Sequence, residues 1–137
     1  LRMSRGLGDV YKRQGYIYEF PAGLVEPNEE FHEGAVREMY EETGLKFTPL
    51  KVDSAFEKSY FTTVGMTDES CATVYGYAEG EISKDAQEDT EEIEVVLADR
   101  EEVKRILREE NVAIMCAYQL MHFLQDEEPF AFLKEEL

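Results

Sequence analysis

Residues Gly23 to Leu45 read Gly-Leu-Val-Glu-Pro-Asn-Glu-Glu-Phe-His-Glu-Gly-Ala-Val-Arg-Glu-Met-Tyr-Glu-Glu-Thr-Gly-Leu. No proline interrupts Asn28 to Thr43, and Gly44 stands where a helix needs a left-handed C′ residue. Pro27 suits the turn that enters the helix. On that helix Glu38, Glu41 and Glu42 share one face, with Cβ atoms about 5–6 Å apart. Ala35, Val36, Met39 and Tyr40 form an apolar side expected to dock on a sheet. Three like charges repel unless something positive sits among them. Mg²⁺ is usually held by carboxylates together with substrate phosphates, so the pattern fits a hard divalent cation. A solvated acidic helix face is the plain alternative in so Glu-rich a chain.

Glu29 and Arg37 lie eight residues apart and are expected to pair across the loop-to-helix junction, fixing the loop that presents Gly23. Arg37 also faces Glu41 four residues on and can orient its carboxylate. Gly34 inside the helix costs roughly 1 kcal/mol relative to alanine.

The spacing is Gly23, five residues, Glu29, seven residues, then Arg37-Glu38-Met39-x-Glu41-Glu42-x-Gly44-Leu45, and it resembles the Nudix box at all nine specified positions. With average residue usage, corrected roughly for this Glu-rich chain, a chance match is on the order of 10⁻⁸ per start position. The resemblance implies an α/β fold, a Nudix-type α/β/α sandwich with a mixed β-sheet. It also implies metal-dependent hydrolysis of a nucleoside diphosphate linked to another moiety. Glu38, Glu41 and Glu42, with the Ala22 carbonyl oxygen, become the expected ligands of Mg²⁺, or of Mn²⁺ as a substitute. Glu41 also counts among the catalytic residues. Arg37 and Glu29 take a structural role.

Gly65-Met66-Thr67-Asp68-Glu69, after Ser59 to Val64, resembles a loop of the ADP-ribose pyrophosphatase branch, which commonly has proline where this chain has Val64. The alternative is an ordinary polar loop. In the acidic run Gln87 to Glu94 the same resemblance makes Glu91 a further metal ligand and Asp89 the catalytic base. Glu88 is close enough to replace Asp89. An acidic surface loop without a role is the alternative for each of these residues. His32 and His122 have no Ser or Cys partner in a recognisable arrangement and are expected to be structural.

The chain has 137 residues, enough for one domain and one hydrophobic core. Its 43% hydrophobic and 12% aromatic content is that of a globular protein. A net charge of −17 argues against nucleic acid or anionic membranes as partners, where a basic patch is expected. It also repels a diphosphate, so bound cations are needed to bring such a substrate in. Cys71 and Cys116 have no metal-ligand spacing and are expected to be reduced core thiols of a cytoplasmic protein. No apolar run approaches the ~20 residues of a membrane span.

Residues 1–14 are expected to be a non-native segment before a single Nudix domain at 15–137. Asp9-Val10-Tyr11-Lys12-Arg13-Gln14 matches the in-frame translation of a transposon-end sequencing adapter. Arg2, Arg5, Lys12 and Arg13 make the segment basic in an acidic chain. A genuine basic arm is the alternative. A foreign start implies a domain lacking its natural N-terminal strands, which often mediate dimerisation in the resembled enzymes; the full-length protein is expected to be a homodimer.

Alternation predicts strands over Gly15–Phe20, Leu50–Ser59, Cys71–Ala78 and Glu92–Ala98. Asp99 has capping-box-like spacing to Glu102 and opens a helix to about Glu110, with Val103, Ile106 and Leu107 inward. A helix over Val112–Gln125 is apolar on most sides, which means core burial or a subunit interface. Phe130 to Leu133 suggests a docked tail.

The expected reaction is hydrolysis of ADP-ribose to AMP and ribose 5-phosphate. Alternatives are another nucleotide-sugar, dinucleotide or modified nucleotide, a non-catalytic nucleotide-binding module, and a plain acidic metal buffer. Metal-dependent product formation separates the enzymes from the binders.

Overall fold

The computed structural model describes residues 2–5, 16–87, 93–128 and 130–137. In chain order the elements are β1 (Arg2–Arg5), β2 (Tyr16–Glu19), α1 (Phe31–Thr43), β3 (Lys46–Pro49), α2 (Ser54–Glu57), β4 (Tyr60–Phe61), β5 (Ser70–Cys71), β6 (Gly76–Glu79), β7 (Ile93–Val95), α3 (Arg100–Glu109), β8 (Asn111–Val112) and α4 (Ile114–Gln125), followed by a 3-10 turn at Ala131–Lys134. Four strands form a mixed sheet in the order β7-β1-β2-β8. β1 runs antiparallel to β2 and β7, and β2 runs parallel to β8. Two antiparallel ribbons, β3–β6 and β4–β5, complete an α/β architecture of the expected class. β1 lies within the stretch set apart by composition. Its ladder uses main-chain groups, which every sequence carries.

The core lies where β2 meets α3 and α4. Tyr18, Val103, Ile106, Cys116 and Leu120 are buried together, with Val96, Leu107, Val112, Phe123 and Leu124 packed around them. Burying each large aliphatic side chain here contributes about 1.5–3 kcal/mol. The inward trio Val103, Ile106 and Leu107 lies as the helical spacing predicts. Asp99 caps α3 by accepting the Glu102 backbone N–H at 2.9 Å. Asp99→Ala should therefore cost about 1 kcal/mol of stability, read from the urea midpoint at an unchanged m-value.

Several predicted boundaries move. The strand expected over Leu50–Ser59 is absent: β3 ends at Pro49, and the Asp53 side chain accepts the Ala55 N–H at 2.9 Å to cap the short α2. A capping aspartate offers the backbone an alternative to a strand ladder. The strand expected over Cys71–Ala78 divides into β5 and β6, with Gly76 flush against Phe47 and the Thr48 carbonyl, where a Cβ would collide. Of the strand expected over Glu92–Ala98, Ile93–Val95 forms β7, and Glu92 lies outside the described residues. α4 begins at Ile114, because Asn111 and Val112 pair with β2.

α4 buries Cys116 and Leu120 but leaves Ile114, Tyr118 and Met121 exposed, and Tyr40 on α1 is also exposed rather than docked. Cys116 is a core residue whose burial pushes its thiol up to about 11. Cys71 instead sits half-buried on the β4–β5 ribbon. The tail docks through Phe132, whose ring meets Phe56, Tyr75 and His122 at centroid distances of 5.8, 5.5 and 5.0 Å. No helix among the described residues is long and apolar enough to cross a membrane.

Candidate active site

Helix α1 begins after Glu30 and ends at Gly44, which adopts φ 77° and donates its N–H to the Tyr40 carbonyl oxygen at 2.8 Å. A Cβ at Gly44 would also collide with Ser83, so both conformation and space call for glycine there. Ahead of the helix, Pro27 and Asn28 form a turn with Asn28 at φ 65°, a left-handed conformation that asparagine tolerates. The Glu29 N–H donates to the Glu26 carbonyl oxygen, and the Glu26 N–H donates to Glu29 Oε1, both at 3.1 Å.

Arg37 locks this turn to the helix. Its Nε and Nη2 grip the two Glu29 oxygens at 2.8 and 3.0 Å, and Nη2 also reaches the Leu24 carbonyl oxygen at 3.0 Å. The expected pair is thus a bidentate fork, the geometry in which arginine binds carboxylate most strongly. Nη1 donates to Glu38 Oε1 at 2.9 Å and to Glu41 Oε2 at 3.1 Å. Gly34 leaves room for the Glu29 carboxylate, since a Cβ there would stand 3.0 Å from Glu29 Oε1.

The bond from Arg37, helped by the Glu26 backbone, lowers the Glu29 carboxyl from 4.5 to about 2, and Glu29 in turn raises the Arg37 guanidinium. A depressed carboxyl contributes stability above its unfolded pKa and loses it as pH falls through the folded one. The difference in thermal midpoint between the native chain and Glu29→Gln should accordingly hold constant above pH 4.5 and shrink toward zero as pH falls to about 2. A difference that stays the same across that window would remove the fork as its cause.

The carboxylates meet the glycine loop from the other side. A Cβ built on Gly23 would fall inside the Glu38 carboxyl group, so only glycine lets that side chain seat against the main chain. Glu42 is 3% exposed and accepts the Ala22 N–H at 3.2 Å. Gly23 and Ala22 are therefore held against Glu38 and Glu42. Among the described residues, no three His, Cys, Asp or Glu side chains already surround a common ion position. Glu38 and Glu41 both accept from Arg37 Nη1. By donor chemistry, Glu38, Glu41 and Glu42 offer the hard oxygens that suit Mg²⁺.

The far end of α1 anchors the segment leading to the second acidic run. The Ser83 N–H donates to the Thr43 carbonyl oxygen at 2.8 Å, and Gln87 Nε2 donates to that of Glu42 at 2.6 Å. These bonds satisfy carbonyls that a helix terminus leaves without intrahelical partners. Glu88, Asp89 and Glu91 lie outside the described residues. Gly65 to Glu69 form the turn of the β4–β5 ribbon, closed by the Thr62 N–H on the Glu69 carbonyl oxygen at 3.1 Å. His32 bonds Glu57 at 2.8 Å and ties α1 to α2, while His122 stacks on Phe132.

Sequence reasoning did not foresee the contact of Nη1 with Glu38, of Glu42 with the Ala22 N–H or of Gln87 with the Glu42 carbonyl oxygen. It linked Arg37 to Glu41 but not to Glu38, because neighbouring residues on a helix do not face one another; the guanidinium fork spans both. Nothing in the spacing signalled Gln87, which is 45 residues from its partner.

A glycine loop is thus braced by arginine against a carboxylate-bearing helix on a mixed-sheet α/β frame. The family model of the NUDIX domain matches residues 5–118, and the chain belongs to that family. It is a Nudix hydrolase, in general a pyrophosphohydrolase of nucleoside diphosphate derivatives, and such enzymes generally use divalent metals such as Mg²⁺. No curated protein matches the chain.

Proposed function

We propose that the protein hydrolyses the diphosphate bond of ADP-ribose, giving AMP and ribose 5-phosphate. The observation that carries the chemistry is the seating of Glu38 against Gly23 and of Glu42 against Ala22 on one helix braced by Arg37. ADP-ribose is favoured among substrates by the Gly65 to Glu69 stretch.

In this reading Glu38, Glu41, Glu42 and the Ala22 carbonyl oxygen, joined by Glu91, hold Mg²⁺ or Mn²⁺. When bound, the metal neutralises diphosphate charge and makes a bound water more acidic. The Glu29 fork on Arg37 keeps the Gly23 loop close to the helix. Asp89, or Glu88 in its place, takes the proton from the attacking water, a contribution typically of 10²–10⁴-fold. Water adds across the anhydride: one phosphate gains its oxygen, and the other leaves as a phosphomonoester. A cytoplasmic homodimer is the proposed setting.

AMP release from ADP-ribose, followed with and without Mg²⁺, tests the reading. Mg²⁺-dependent AMP is expected. A folded protein that releases none, while hydrolysing another nucleoside diphosphate derivative, would overturn ADP-ribose as the substrate.

A further inference from the structure

We propose that Arg37 is the built-in counter-cation of the carboxylate face, and that a divalent cation loads by taking Glu38 and Glu41 away from one arm of its guanidinium. The inference rests on the reading above that these carboxylates hold metal. Nη1 bridges Glu38 Oε1 at 2.9 Å and Glu41 Oε2 at 3.1 Å, so a single nitrogen joins two carboxylates that would otherwise repel. The opposite edge is committed elsewhere, with Nε and Nη2 on Glu29 and Nη2 on the Leu24 carbonyl oxygen. The guanidinium is a rigid planar fork, so it cannot swing Nη1 aside without breaking the Glu29 grip.

The exchange therefore falls to the carboxylates. The Glu41 side chain is 44% exposed and that of Glu38 19%, which leaves Glu41 the freer to rotate. Oxygen lone pairs directed at Nη1 are lost to a metal, and a fixed positive charge beside the face repels an arriving cation. Arg37 thus keeps the face assembled without metal and weakens metal binding at the same time. It is a positioning residue whose signature is in metal affinity.

Mn²⁺ binding to the full chain, measured from the electron paramagnetic resonance of the free ion, tests this in the native protein, Glu29→Gln and Arg37→Met. Both variants lose the Glu29 fork, but only Arg37→Met frees Glu38 and Glu41. Arg37→Met should bind Mn²⁺ about tenfold or more tighter than Glu29→Gln. Equal or weaker binding overturns the proposal while leaving the metal reading intact. No binding in any of the three overturns the metal reading, and the exchange falls with it. In the native protein, ¹⁵N resonances of Arg37 under Mg²⁺ titration give a readout independent of variant folding. Nη1 should shift and Nε stay; an unmoved Nη1 at saturation also overturns the exchange.

Discussion

Glu42→Gln is expected to lower Mg²⁺-dependent turnover at least about 10²-fold while the protein stays folded. Glutamine keeps the volume of the side chain and an oxygen that can still accept the Ala22 N–H, so the loop contact at 3.2 Å survives. What disappears is the negative charge, at a position only 3% exposed, where a charge interacts more strongly than it would in water. Turnover of ADP-ribose, read as AMP formation over a range of Mg²⁺ concentrations, measures the loss. Near-native turnover at saturating Mg²⁺ would remove Glu42 from the proposed ligand set.

Gly23→Ala should separate activity from stability. The added methyl group claims the space of the Glu38 carboxyl group, but that carboxyl is the end of a flexible side chain and can move aside. Stability is expected to change by no more than about 0.5 kcal/mol, as for a surface substitution. Activity should fall by about 10²-fold, because misplacing a group at the site by about 1 Å costs that much. Thermal unfolding and AMP release on the same preparation test both halves. A large fall in midpoint with turnover per folded molecule unchanged would mean that Gly23 serves the fold and not the seating of Glu38.

The helix at the centre of the site was legible because its signals are local. Hydrogen bonds in a helix link residues four apart, so Gly44 as terminator and the shared face of Glu38, Glu41 and Glu42 follow from spacing alone. The Asp99 cap and the inward trio Val103, Ile106 and Leu107 follow for the same reason. The Glu29–Arg37 pair was legible because eight residues of turn and helix leave the two ends few ways to meet.

Strands were less legible. Asp53 turned an apparent strand into a capped helix, a competition settled by one side-chain bond. Val112 left the expected helix because β2 offered it a ladder from almost a hundred residues away. The exposure of Tyr40 and of one α4 face depended on which surfaces the other elements covered, a matter of packing and not of periodicity.

Spacing alone told which carboxylates share a face and which arginine faces Glu41; that Gly23 admits the Glu38 carboxyl group came from the fold. The bridging of Glu38 and Glu41 by one guanidinium nitrogen, the seating of Glu42 on the Ala22 N–H and the reach of Gln87 to the end of α1 all required the chain to close on itself. Residue type and spacing specify contacts within a few turns of helix. Contacts between distant segments depend on how the whole chain satisfies its backbone groups and buries its apolar surface together.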